Sequence, residues 1–236
     1  MIPRPENPLV VALDVSDAGR AETLASALSP NVGMLKVGLE LAWAAGPEMV
    51  HRIASHAPVF VDAKLHDIPN TVERAAANIA RLGVRMLTVH ALGGEAMMRA
   101  ARAGTDRGAT DAHVPEPLVV AVTVLSSQSG EGLASPASLA FEAQASGLDG
   151  VVVSGDDVED VRAVCGDAFC LVVPGIRPAG GNGHDQVRVL TPRAAIEKGA
   201  DYIVVGRPIR EPRNGFNPRG AAEDIQRRIV NLFENA

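Results

Sequence analysis

Eight short apolar runs punctuate the chain, at residues 9–14 (LVVALD), 34–38 (MLKVG), 59–64 (VFVDAK), 84–90 (VRMLTVH), 118–125 (LVVAVTVL), 150–154 (GVVVS), 170–175 (CLVVPG) and 202–206 (YIVVG). They are rich in β-branched residues and nearly continuous rather than alternating. That is the pattern of strands buried on both faces, as in a parallel sheet. Between them lie Ala- and Leu-rich stretches at helical spacing, such as residues 73–83 and 138–150, with Gly83 and Gly147 placed as helix C-caps. The last stretch, residues 219–236, carries Ile225, Ile229, Leu232 and Phe233 on one stripe.

Eight strands and eight helices in strict alternation predict an α/β fold, a (β/α)8 TIM barrel. Such a barrel takes about 250 residues, so the expectation is a single domain over 1–236. An open doubly wound sheet is the alternative. Against it, no Gly-x-Gly-x-x-Gly turn follows the first run.

Composition narrows the chemistry. With 47% hydrophobic, 21% charged and only 3% aromatic residues, the core must be built from Ala, Val, Leu and Ile. A net charge of −6 argues against a nucleic-acid partner. There is no long apolar N-terminal segment and no run of the roughly 18–20 apolar residues that crosses a bilayer. The expectation is a cytoplasmic protein with no membrane partner. Cys165 and Cys170 fit no metal or haem spacing and are read as reduced thiols.

Of the 22 Lys and Arg residues only three are lysine: Lys36, Lys64 and Lys198. A lysine is therefore an exception here, and burial or neighbouring charge tunes its proton affinity as it cannot tune arginine's. Catalytic groups of such barrels gather at the C-terminal strand ends. Those ends carry Asp14, Lys36, Asp62 with Lys64, His90, Ser126, Ser154 and Gly206 with Arg207.

Taken singly, several have plainer roles. An Asp after a strand is often a helix N-cap, though Ser16 or Asp17 serves equally. His90 reads as a packed, hydrogen-bonded histidine, and Ser154 as the N-cap of the next helix. Asp62 and Lys64 are the sharpest pair, because a spacing of two puts both on one strand face; a structural ion pair is the competing reading. Asp67 is out of phase, and Pro69 disfavours helix at Ile68, so the chain turns there. Asp67 either bends back to the site or projects into a neighbouring subunit. Gly206-Arg207 suits a phosphate. Residues 175–192, with four glycines, read as a lid bearing Arg177 and Gln186.

The strings VALDVSD, LKVG, DAKLHDIPNTV, TVLSS, PGIRP through HDQ, and VVGRPI resemble, in order and spacing, those of the orotidine 5′-phosphate decarboxylase family. The resemblance spans nearly the whole chain. It implies a (β/α)8 barrel, usually a homodimer with shared active sites. The implied reaction converts orotidine 5′-phosphate to UMP in de novo pyrimidine biosynthesis, with no metal and no organic cofactor.

Residue by residue, the resemblance implies that Lys64 donates a proton to carbon 6 and that Asp62 faces the substrate carboxylate. Asp67 and Thr71 are implied to be lent to the partner's site, with Ile68 and Pro69 of the same string in the substrate-binding set. Asp14 and Lys36 look like ribose and charge-network contacts, and Ser126 like the pyrimidine contact. Gln186 is similar to a lid residue bridging base and phosphate; Arg177, Gly206 and Arg207 are similar to phosphate-end residues. Bacterial members often have threonine where this chain has Ser126; the hydroxyl is kept.

Two other readings stand beside this one. A Mg2+-dependent hexulose or keto-gulonate phosphate lyase shares the barrel and the Asp-x-Lys-x-x-Asp pattern, but Lys36 and HDIPNTV favour the nucleotide enzyme. A non-catalytic phosphate-ligand barrel is opposed by the intact Asp62, Lys64 and Asp67.

Overall fold

The computed structural model describes residues 5–124, 134–178, 190–212 and 215–233, the last four as backbone only. Eight parallel strands close in chain order: β1 (Leu9–Ala12), β2 (Met34–Gly38), β3 (Val59–Leu65), β4 (Met86–His90), β5 (Leu118–Val122), β6 (Gly150–Val152), β7 (Cys170–Val173) and β8 (Tyr202–Val205). The last strand pairs back onto the first through Val10 with Val204 and Val11 with Val205. No sheet edge is left, which rules out the open doubly wound alternative.

Around the barrel run α1 (Ala18–Leu28), α2 (Leu39–Ala45), α3 (Glu48–Ala54), α4 (Pro69–Ala80), α5 (Gly94–Ala112), α6 (Pro136–Ala145), α7 (Val158–Cys165), α8 (Pro192–Glu197), α9 (Arg207–Arg210) and α10 (Pro218–Phe233). Strict alternation fails twice. After β2 the connection breaks into two helices at Gly46, which takes φ +73 just before Pro47. After β8 the one-turn α9 precedes α10.

Local chemistry sets the helix ends. The helix foreseen at 73–83 starts earlier, because Pro69 fits its first turn while Ile68 stays extended at ψ 149°. Gly83 sits at φ +70, three residues past the helix. After α6, Gly147 takes φ +82, and the N–H groups of Gly147 and Leu148 donate to the Gln144 and Ala143 carbonyls. That is a glycine C-cap of the Schellman type. On α10, Ile225 and Ile229 are buried as foreseen; the side chains of Leu232 and Phe233 lie outside the described residues.

Strand parity sorts the core into two layers. Val10, Met34, Phe60, Met86, Val120 and Val204 are among the residues filling the barrel. The alternate residues, such as Val11, Leu35, Val61 and Leu87, pack outward against the helices. Both cysteines are free and buried. Helix α5 approaches α4 at glycines: a Cβ on Gly104 or Gly108 would come within 2.0 or 2.2 Å of the Glu73 or Ala77 carbonyl. No side chain larger than hydrogen fits there, and this contact fixes the helix that follows β3.

At the N-terminal strand ends one device appears twice. Asp149, before β6, accepts from the Val119 N–H of β5 (2.8 Å) and from Arg102 of α5 (2.8 Å). Asp201, before β8, accepts from the Leu171 N–H of β7 (2.8 Å) and from Arg162 of α7 (2.8 Å). Arg162 also donates to the carbonyls of Gly166, Phe169 and Gly199. Its side chain is 15% exposed and that of Asp201 13%. Removing one member of such a pair strands a charge away from water. Asp201→Ala is therefore expected to lower stability by about 3–5 kcal/mol in urea unfolding; a loss below about 1 kcal/mol, the range of exposed pairs, would show the hub to be solvated.

Candidate active site

The inward parity that packs the barrel continues past its apolar layer into charge. Beyond Ala12 comes Asp14, beyond Met34 comes Lys36, and beyond Phe60 comes Asp62. These three neighbours alternate in sign, and Lys64 extends the series. Lys36 Nζ lies 3.1 Å from Asp14 Oδ1 and 3.2 Å from Asp62 Oδ2. Lys64 Nζ lies 2.7 Å from the same Asp62 Oδ2. Gly38 leaves room for this chain of charges, since a Cβ there would sit 3.0 Å from both Asp14 Oδ1 and Lys36 Nζ.

Asp62 is the buried centre of the row, with its side chain 13% exposed. Burial by itself disfavours its ionised form. Lys36, then Lys64, then the Thr88 hydroxyl outweigh that penalty, and the carboxyl is held below the ordinary carboxylate range.

Lys64 is at the open end. Its side chain is one-third exposed, and Asp62 is the only acceptor of its ammonium among the described residues. An ammonium has three donors, so two point to the barrel mouth or to solvent.

Parity alone does not place Lys64. The β3–β4 register runs Val61 with Leu87, then Leu65 with Val89, so Asp62, Ala63 and Lys64 stand opposite Thr88 alone. Within this bulge Lys64 takes φ +48, a left-handed conformation. For a residue with a Cβ that costs about 1–2 kcal/mol, and such outliers collect at functional sites. Bulges re-aim side chains; here the bulge turns Lys64 back onto Asp62.

The β7–β8 side of the mouth, next to β1, carries fewer contacts among the described residues. Gly206 ends β8, and Arg207 is exposed, its guanidinium without an acceptor among the described residues. Arg177 is half-buried, and its N–H donates to the Leu190 carbonyl at 3.1 Å, which draws together the two ends of the glycine-rich segment. Ser126 and Gln186 lie outside the described residues.

Asp67 and Ile68 are exposed on the turn between β3 and α4, and Pro69 and Thr71 in the first turn of α4. The chain does turn at Pro69 as foreseen. The Asp67 carboxylate accepts from the Ile68 N–H (2.7 Å) and does not join the Lys36–Asp62–Lys64 row. Asp17, not Asp14, caps α1, accepting from the Arg20 N–H, which leaves Asp14 to Lys36. Ser154 is not an N-cap: α7 begins four residues later, after Asp157.

Other side chains serving the site had no role assigned from the sequence. Thr88 is fully buried; its Oγ1 accepts from the Lys64 N–H (2.8 Å) and donates to Asp62 Oδ1 (3.0 Å). Strand parity with Met86 and His90 was the available signal. Arg210 donates to the Asp14 carbonyl, tying α9 to the end of β1. His90 is packed as foreseen, but its Nδ1 has no hydrogen-bond partner among the described residues. It stacks on His66 with ring centroids 5.2 Å apart. Burial, and then the nearby charges of His66 and Lys64, push its pKa down, which keeps it neutral at pH 7. Among the described residues no three His, Cys, Asp or Glu side chains gather as a metal-ligand set, and no helix is long and apolar enough to cross a membrane.

Residues 7–225 match the model of the orotidine 5′-phosphate decarboxylase / HUMPS family. An orotidine 5′-phosphate decarboxylase of Nitrosococcus oceani is 47% identical over 235 residues, covering 95% of this chain and 98% of its own. One from Moorella thermoacetica is 46% identical over 213 residues, covering 85% and 84%. The crystal structure of orotidine 5′-phosphate decarboxylase from Lactobacillus acidophilus superposes with a TM-score of 0.82 at 37% identity, covering 95% of this chain and 99% of that one.

The lowered pKa of Asp62 couples the charge row to stability. A carboxyl depressed on folding contributes stability that is fully present above its unfolded pKa, about 4, and is lost as pH falls through the folded value. Asp62→Asn is therefore expected to melt below the parent protein at pH 7, with the gap narrowing in thermal melts toward about pH 2. A gap that stays constant over that range would contradict the ionised network.

Proposed function

The chain belongs to the orotidine 5′-phosphate decarboxylase / HUMPS family, and from that premise we propose that it decarboxylates orotidine 5′-phosphate to UMP, with Lys64 protonating carbon 6. The observation that carries this reading is the Lys64 ammonium. It is tethered by one bond, among the described residues, to a largely buried carboxylate and is one-third exposed, with donors to spare.

Loss of CO2 from the substrate leaves an electron pair on carbon 6 with no conjugated acceptor. The protein must stabilise that charge electrostatically, and an ammonium fixed in advance does so without reorganising. At an effective dielectric near 20, unit charges about 4 Å apart interact by about 4 kcal/mol. That is about three decades of rate, too little for so slow a reaction.

Two further contributions are proposed. Asp62, already ionised between Lys36 and Lys64, repels the incoming substrate carboxylate, and that repulsion is relieved as CO2 departs. Binding energy from the phosphate, remote from the reacting carbon, raises the rate as well as the affinity. Arg207, with its guanidinium free of protein acceptors among the described residues, and Gly206 beside it suit the phosphate. Arg177, Gln186 and Ser126 complete the set as phosphate, bridging and pyrimidine contacts. Asp14 and Lys36 serve the ribose and the charge row.

The nucleotide substrate is favoured over a Mg2+-bound enediolate by the state of Asp62. Both of its oxygens are already engaged: one accepts from Thr88, and the other accepts from Lys64 and pairs with the Lys36 ammonium at 3.2 Å. A decarboxylase of this design needs neither metal nor organic cofactor.

The exposed stretch of Asp67, Ile68, Pro69 and Thr71 across the turn and the start of α4, with Ile68 66% exposed, suits a homodimer in which each chain completes its partner's site. The setting is the cytoplasm, in pyrimidine biosynthesis. Lys64→Ala is expected to abolish turnover while UMP still binds in calorimetric titration. Decarboxylation retained within about tenfold of the parent, about 1.4 kcal/mol of barrier, would remove the proton-donor role.

A further inference from the structure

We infer that Thr88, on the strand beside the catalytic bulge, is a positioning residue that sets the direction of the Lys64 ammonium. The inference rests on the decarboxylase reading for its kinetic consequence and on geometry for its cause. Three residues of β3 stand opposite Thr88 alone, and the bulge takes the Lys64 N–H out of the strand ladder. That N–H finds Thr88 Oγ1 at 2.8 Å. The same oxygen lies 3.0 Å from Asp62 Oδ1.

The direction of each bond is fixed by valence. An ionised carboxylate only accepts, so the hydroxyl proton points to Asp62, and a lone pair of the oxygen receives the Lys64 N–H. One hydroxyl, fully buried, thus does two things. It holds the left-handed backbone of Lys64 at φ +48. It also fixes the Asp62 carboxylate by one oxygen, which leaves the other toward Lys36 and Lys64. Both ends of the 2.7 Å Lys64–Asp62 bond are therefore anchored through Thr88. Thr88 does not reach the barrel mouth, so it acts through the lysine and not on substrate.

The test compares Thr88→Val, which keeps the shape and loses the hydroxyl, with Thr88→Ser, which keeps the hydroxyl; Thr88→Ala repeats the loss without added bulk should the valine chain not fold. The Val or Ala chain is expected to lose about 100-fold in kcat, the cost of a small misplacement of a reacting group. KM and UMP affinity should hardly change, and Ser should restore most of the rate. A parent-like kcat in the Val or Ala chain, a rise in KM alone, or a Ser chain as impaired as Val would overturn the role. If the parent protein leaves orotidine 5′-phosphate untouched, the reading of the reaction falls separately. Thr88 is then judged by the 13C resonance of the Asp62 carboxyl, whose titration must move upward in Thr88→Val; an unmoved titration overturns the positioning role.

Discussion

A carboxylate withdrawn from water and shared by two ammonium groups is the constraint on which the mouth of this barrel depends. Asp62 would resist ionising at its depth if it were alone. Lys36, Lys64 and Thr88 reverse that tendency, and in return the carboxylate holds both lysines in place. The arrangement also accounts for the choice of lysine in a chain that otherwise uses arginine. A guanidinium keeps its proton under all ordinary conditions, whereas an ammonium can give one up. Two of the three lysines in the sequence stand in this row.

The fold serves the row through parity. Inward positions on the first three strands carry apolar side chains up to one level and charges above it, so the apolar layer forms the floor of the site. At the opposite strand ends the paired Arg–Asp hubs clamp β5 to β6 and β7 to β8, far from the chemistry. The charged groups ride on strands and on one bulge. The proposed phosphate end rides on the short turn after β8 and on the described ends of the segment that follows β7. The proposed reacting charge thus sits on strands, apart from the proposed phosphate contacts, a division suited to using distant binding energy at carbon 6.

Much of this was legible in the sequence because it follows from period and position. Continuous β-branched runs marked all eight strands, and the alternation gave the closed barrel. The spacing of Asp62 and Lys64 marked them as a pair, although the bulge, not parity, brings them together. What was not legible depends on departures from regular geometry. The left-handed Lys64 and the three-against-one register beside Thr88 cannot be seen in a string where 62 and 64 simply share a face. The break at Gly46–Pro47 splits one helix into two, and Ser154 is not the expected N-cap because α7 begins late. Asp67 was out of phase with the strand and stays out of the charge row, with its turn exposed. His90 stacks on His66, and its Nδ1 has no partner among the described residues, which no spacing announces.

The most direct measurement is a spectrophotometric assay of the purified protein with orotidine 5′-phosphate, run before and after exhaustive chelation of divalent metals. The account predicts that the substrate absorbance falls and UMP accumulates at the same rate in both samples, because the charge that stabilises the carbanion belongs to Lys64. No turnover, or turnover that vanishes on chelation and returns with Mg2+, would contradict it.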